Sequence, residues 1–350
     1  MAVEHYNPAL LDSMAGVEFY DGILCAGMVN AHAHLELSYL KGAIEEHTGL
    51  AGFAAAMGAV RNNFSAEERE EAIATADRKM WEEGVEAVAD IVNDESTFAT
   101  KLTSPIAYRS MVEIFGLRES NIARQRTLLA HPDTRLTPHS IYSVREADFR
   151  EACLATSTTP LSIHFLESEA ERQLFEGRGA LHEWYAKVGF ECDFLHHGSP
   201  ARRIVASIPP QQSVMLVHNC ALTEEDIDII MNHFTAPVFW VLCPRSNRYI
   251  SNIAPQSISL MRARELNICI GTDSLASNHS LSLIDELKEF DNIPLDQMLG
   301  WVTHLGAQAL GLDDELGTVA VGRRCGVVNI SGVDMEQMRL TEYSVARRII

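Results

Sequence analysis

The chain has 350 residues, 47% hydrophobic and 22% charged, with a formal charge of −20. That length and balance admit a large core and exclude a disordered or small disulfide-stapled chain. The excess of 48 acidic over 28 basic side chains repels polyphosphates and argues against nucleic acid, and no stretch approaches the roughly 20 apolar residues of a membrane span.

The opening segment, MAVEHYNPALLDSMAGVEFYDG, lacks a basic start followed by an apolar core, so the cytoplasm is the expected compartment. Residues 28–31 form the first predicted strand and lead into His32 and His34. Strand positions i and i+2 point to one side, so two imidazoles at a strand end can reach one metal ion together. Taken alone, the pair reads more readily as two polar residues on a solvent face, and further ligands downstream must decide. A helical pattern follows over 65–84, where Ser65 and Glu68 make a capping box. Strands are predicted at EGVEAVADIV (83–92) and SPIAYRSMVEIFG (104–116), then in TRLTPHSIY, PLSIHFLE, SVMLVHNC, APVFWVLCP and LNICIGTDS. Within this series a helix is predicted over TEEDIDIIMNHF (223–234), with Thr223 and Asp226 at its start. The seven cysteines stand singly without a CxxC, which opposes both a disulfide framework and a structural zinc knuckle.

Eight strand candidates alternating with helical segments predict a parallel (β/α)8 barrel. An open doubly wound sheet is the alternative, but no GxGxxG or GxxxxGK[ST] follows any strand candidate. In a barrel, catalytic groups gather at the C-terminal ends of the strands. Those ends carry His32 and His34, then His139, His164 with Glu167, His218, and Asp273.

AHAHLE, TPHSIYSV, HFLESEAE, VHNCALTEEDI, LCPRSNRYI and GTDSLASNHSLSLIDELK, in this order, resemble the metal-dependent amidohydrolase superfamily. The resemblance is to its aminohydrolase branch, which holds guanine, cytosine, S-adenosylhomocysteine and aminodeoxyfutalosine deaminases and triazine hydrolases. It implies a TIM-type barrel over 26–312, with 1–25 and 313–350 building a small β-sandwich. Members usually place more of that sandwich before the first barrel strand, so part of it is expected to be short or missing here. The resemblance also implies that His32, His34, His164 and Asp273 bind the metal, that Glu167 shuttles protons, and that His218 polarises the substrate or the attacking water. His139 and Glu36 would face the substrate, although Glu36 capping a helix or pairing with Lys41 is an equal reading.

Three imidazoles and a carboxylate leave one open position on a divalent ion, where bound water is acidified enough to supply hydroxide at neutral pH. That hydroxide would attack an aminated heteroaromatic carbon while Glu167 moves the water proton to the ring nitrogen and a second proton to the leaving amine. No lysine lies in TRLTPHSIY to bridge a second metal, so one ion is expected, with zinc preferred over iron. The expected substrate is a purine nucleoside-type molecule resembling aminodeoxyfutalosine or S-adenosylhomocysteine, because HAHLELS resembles that first-strand motif. A nucleobase deaminase, a triazine-type hydrolase and a cyclic amidohydrolase are the alternatives, with a catalytically silent barrel scaffold more remote. The partner is therefore a small heterocycle, and the sequence leaves a homodimer open. His196 and His197 read as a solvated turn, and Arg202 or Arg203 as a weak candidate for a substrate anion.

Overall fold

The computed structural model describes residues 16–155 and 160–350; residues 1–15 of the expected sandwich segment lie outside that description. A short strand, β1 (Ile23–Ala26), precedes all eight predicted barrel strands. These are β2 (Met28–Ala33), β3 (Val85–Val92), β4 (Ala107–Ile114), β5 (Thr134–Pro138), β6 (Leu161–Phe165), β7 (Val214–His218), β8 (Val238–Leu242) and β9 (Asn267–Ile270). Along β2, β3, β6, β7 and β8 every residue is buried, as parallel strands covered on both faces require.

The strands form two parallel four-stranded sheets, β2-β3-β4-β5 and β6-β7-β8-β9. They meet at two seams through single parallel bridges, Ala33 with Asp273 and Ser140 with His164, with no continuous ladder at either. The result is a (β/α)8 arrangement of TIM type. Ala87, Ala89 and Ile91 of β3 and the larger Met215, Val217, Phe239 and Val241 of β7 and β8 fill the interior. The alternate residues Val88, Val92, Leu216 and Trp240 join the core outside, under the helices. This alternation places small and large side chains across one lumen, which is how a barrel of this size fills.

The helices start where their caps dictate. Ser65 Oγ accepts from Glu68 N at 3.2 Å and Ser65 N donates to Glu68 Oε2 at 2.7 Å, opening the helix Ala66–Glu82, which buries Ile73, Ala76 and Met80. Thr223 and Asp226 make the same box for the helix Glu224–His233. After the barrel, β10 (Val327–Asp334) pairs antiparallel with β1 and with β11 (Arg339–Arg348). Arg348 ties this three-stranded sheet to the barrel through Glu86 and through the Trp81 ring, 3.2 Å from its centroid. No helix among the described residues is long and apolar enough to cross a membrane.

Candidate active site

The HxH pair sits where the strand rule puts it. β2 runs to Ala33, His34 follows directly, and the two rings turn to one side with their Nε2 atoms 3.2 Å apart. The first seam brings Asp273 to them, because the Thr272 and Asp273 amides both donate to the His32 carbonyl at 2.9 and 3.0 Å. Asp273 Oδ1 then lies 3.4 Å from His34 Nε2 and 3.9 Å from His32 Nε2. At the second seam His164 donates through Nδ1 to the His139 carbonyl at 2.7 Å, which leaves its Nε2 for the site. His32, His34 and His164 each offer a nitrogen, all within 4.8 Å of one another.

Burial sets the charge states of these groups. It holds the His34 imidazole down to about 3 and those of His139 and His164 to about 4, and it lowers His32 and His218 as well. All five rings are therefore neutral at pH 7, the form in which histidine ligates. Asp273 stays ionised. Burial pushes its carboxyl up, but His34, His218 and the Ser246 hydroxyl outweigh that and bring it below the usual range. Tetrahedral ligands about 2.0–2.1 Å from a zinc-sized ion lie roughly 3.3 Å apart. The observed 3.2 and 3.4 Å separations, neutral imidazoles and lone carboxylate fit a divalent cation.

Glu167 and His218 border this cluster from β6 and β7. Glu167 Oε1 is 4.0 Å from His218 Nε2, and the Tyr142 hydroxyl reaches Glu167 Oε2 at 3.4 Å. Burial pushes the Glu167 carboxyl up to about 7 against the lowering influence of His164. The backbone under these groups is unusual: Leu166, His218, Asn219 and Asp273 have φ of 50, 81, 58 and 57°. Left-handed non-glycine residues cost on the order of 1–3 kcal/mol each and persist only where the surroundings over-determine them. Here Glu171, buried against the turn, accepts from the Leu166 and Glu167 amides at 2.9 and 2.6 Å, and Asn219 Nδ2 donates to Leu216 O and Val241 O at 2.7 and 3.1 Å.

His139 hydrogen-bonds Ser143 Oγ through Nδ1 at 2.6 Å, with its ring centroid 4.6 Å from that of His164. Glu36 neither caps a helix with its side chain nor meets Lys41. Instead Asn93 N donates to Glu36 Oε2 at 2.7 Å and Asn93 Nδ2 to Oε1 at 2.9 Å, while the same Nδ2 donates to Glu113 Oε2 at 3.0 Å. Burial lifts Glu36 to about 8 and raises Glu113. Glu113 had no signal in the sequence reading, yet its Oε1 lies buried 4.0 Å from His164 Nδ1. Ser246 and Asn247 also escaped it, although LCPRSNRYI contains them; their roles arise from contacts across two neighbouring strands.

Two lesser expectations fail in part, at Arg203 and at His197. Arg203 is fully buried and donates to Ile141 O and Val144 O at 2.5 and 2.8 Å, so it pins the loop after β5 and is closed to any substrate anion. His197 is no solvated turn residue, because it is largely buried against Glu146 Oε1 at 3.0 Å; its neighbour His196 is exposed as expected.

An adenosine deaminase of Helicobacter pylori is 29% identical over 322 residues, 85% of this chain and 76% of that one. A 5-methylthioadenosine/S-adenosylhomocysteine deaminase of Halobacterium salinarum is 26% identical over 370 residues, 95% of this chain and 78% of that one. In three dimensions the fold matches Helicobacter pylori aminofutalosine deaminase, solved with methylthio-coformycin, at a TM-score of 0.79 and 24% identity, covering 94% of this chain and 87% of that one. The amidohydrolase family profile matches residues 23–328, a span that holds every strand-end histidine and Asp273, and so this chain belongs to the amidohydrolase family.

Proposed function

We propose that this protein is a deaminase of adenine nucleosides that carry a modified 5′ group, releasing ammonia by hydrolysis. The observation that carries the reading is the convergence of His32 Nε2, His34 Nε2 and Asp273 Oδ1 at 3.2–3.9 Å, with Glu167 and His218 alongside. The names of the relatives matched over most of this chain support the nucleoside as substrate. The fold division is part of the same proposal: a barrel over 26–312 flanked by 1–25 and 313–350. The pairing of β1 with β10 and of β10 with β11 supports it.

In this reading His32, His34, His164 and Asp273 hold one divalent ion, zinc ahead of iron because borderline-soft imidazoles dominate the set. When bound, the ion acidifies a water and so supplies the nucleophile at neutral pH. Asp273 and the three neutral rings orient it. Glu167, poised near neutrality, would accept the water proton and pass it to the ring nitrogen, then take the proton of the hydroxyl added to the carbon and deliver it to the departing amine, leaving a ring carbonyl and ammonia. His218, 4.0 Å from Glu167, would help align the reacting atoms. His139 packs against His164 where the heterocycle would lie. Glu36, engaged by Asn93, would face the substrate.

The test is steady-state ammonia release from a 5′-modified adenosine compared with adenine, guanine and cytosine. Preference for the nucleoside is expected. Faster turnover of a free base would replace the reading with a nucleobase deaminase, and inactivity towards all four would favour a triazine-type or cyclic-amide hydrolase.

A further inference from the structure

Asp273 and His218 come from different strands, yet adjacent residues of one helix hold both. The helix Pro244–Ser251 follows β8, and Ser246 Oγ donates to Asp273 Oδ2 at 2.5 Å, with Ser277 Oγ reaching the same oxygen at 3.2 Å. Next to it, Asn247 Oδ1 accepts from His218 Nδ1 at 2.8 Å. Both side chains are buried, and the segment under them is itself fixed. The Arg245 amide donates to Glu286 Oε2 at 3.0 Å, and Asn278 Nδ2 donates to Glu286 Oε1 at 2.6 Å.

Each contact selects one atom of its neighbour. Ser246 and Ser277 occupy Oδ2 of Asp273, so Oδ1 is the oxygen that faces His34 Nε2 at 3.4 Å. Asn247 takes the single proton of a neutral His218 at Nδ1, so Nε2 carries the lone pair and faces Glu167 Oε1 at 4.0 Å. A lone pair at Nε2 can accept a hydrogen from the attacking water and cannot donate to the substrate. We infer that Ser246 and Asn247 are the positioning residues of this site: Ser246 aims Asp273 at the cation, and Asn247 fixes His218 as a hydrogen-bond acceptor at Nε2.

The experiment uses zinc-loaded protein and three readouts: zinc affinity by chelator competition, imidazole nitrogen chemical shifts of His218, and kcat with KM. Only the kinetic arm rests on the proposed deaminase activity. Ser246→Ala should weaken zinc binding about 10- to 100-fold, the usual effect of losing a partner of a metal-bound group. Asn247→Leu should keep its zinc, populate both His218 tautomers, and lower kcat about 10- to 100-fold with KM nearly unchanged. Asn247→Asp, which keeps the acceptor oxygen, should recover most of that kcat. The inference is overturned if wild-type His218 carries its proton on Nε2, if Ser246→Ala binds zinc as tightly as wild type, or if Asn247→Asp is as impaired as Asn247→Leu. Should Asn247→Leu fail to fold, the wild-type tautomer and Asn247→Asp still decide. If no nucleoside is turned over, the deaminase reading falls while the tautomer and affinity results judge the positioning roles.

Discussion

The two halves of the barrel deliver their polar groups by different means. In the first, β2 to β5, the strand ends run on in ordinary backbone geometry and polar side chains satisfy one another. Asn93 bridges Glu36 and Glu113, and Asp90 accepts from the Leu35 amide at 2.7 Å while pairing with Lys101 at 2.5 Å. In the second, β6 to β9, three of the four strands end in left-handed non-glycine residues that turn Glu167, His218 and Asp273 inward. Asp90 and Lys101 hold the HxH turn in place as a buried ion pair, whereas the second half stores strain and restrains it with Glu171 and Asn219. The first half thus contributes a prearranged pair of donors, and the second contributes groups whose placement depends on tight turns.

The largest effect should come from removing one proposed ligand of either half, because the proposed cation site draws on both. His34→Ala and Asp273→Ala are each expected to lose bound metal and all measurable deamination. Stoichiometric metal in either variant, measured by elemental analysis, would remove that residue from the ligand set. Next comes Glu167→Gln, which should retain metal and fold while kcat drops by roughly 10² or more, the range for positioned acid–base help. Its pH dependence has a definite sign. The carboxyl is raised to about 7 and must be ionised to accept a proton, so wild-type kcat/KM should climb as pH rises through that region. A flat profile from pH 6 to 8 would point to another base.

Glu36→Ala probes the mutual satisfaction of the first half. The Asn93 amide and one Nδ2 hydrogen lose their acceptor in a partly buried setting while Nδ2 keeps Glu113, which costs about 1 kcal/mol, so the melting temperature should fall and KM for the nucleoside should rise more than kcat changes. An unchanged melting temperature would show that the Asn93 bridge adds nothing. The smallest effect serves as a control. Ser65→Ala and Thr223→Ala remove the same capping box outside each half, and each should cost about 1 kcal/mol without touching turnover. A clear difference between them in thermal melts would mean that the halves also differ in how firmly their outer helices are held.

Much of the fold was readable because its signals are local. Buried β-branched runs spaced by one βα unit place all eight strands, and Ser65 with Glu68 marks a helix start to the residue. The i, i+2 spacing of His32 and His34 puts both rings on one side whatever lies around them. What the sequence could not carry is which atoms meet. The approach of Asp273 to His32 and of His164 to His139 is made at the two seams, across 241 and 25 positions of chain. The sequence offers Glu36 as a substrate-facing group, a helix cap or a partner of Lys41, whereas Asn93, just past the end of the neighbouring strand, takes its carboxylate. Ser246 and Asn247 carry no role of their own in LCPRSNRYI; packing sets them against groups from β7 and from the turn after β9. Chain order and side-chain period fixed the elements and the candidate ligands, since those depend on neighbours a few residues away. Burial, proton placement and the pairing of donors with acceptors belong to the tertiary structure, because each depends on residues that only closure of the two sheets brings within a few ångströms.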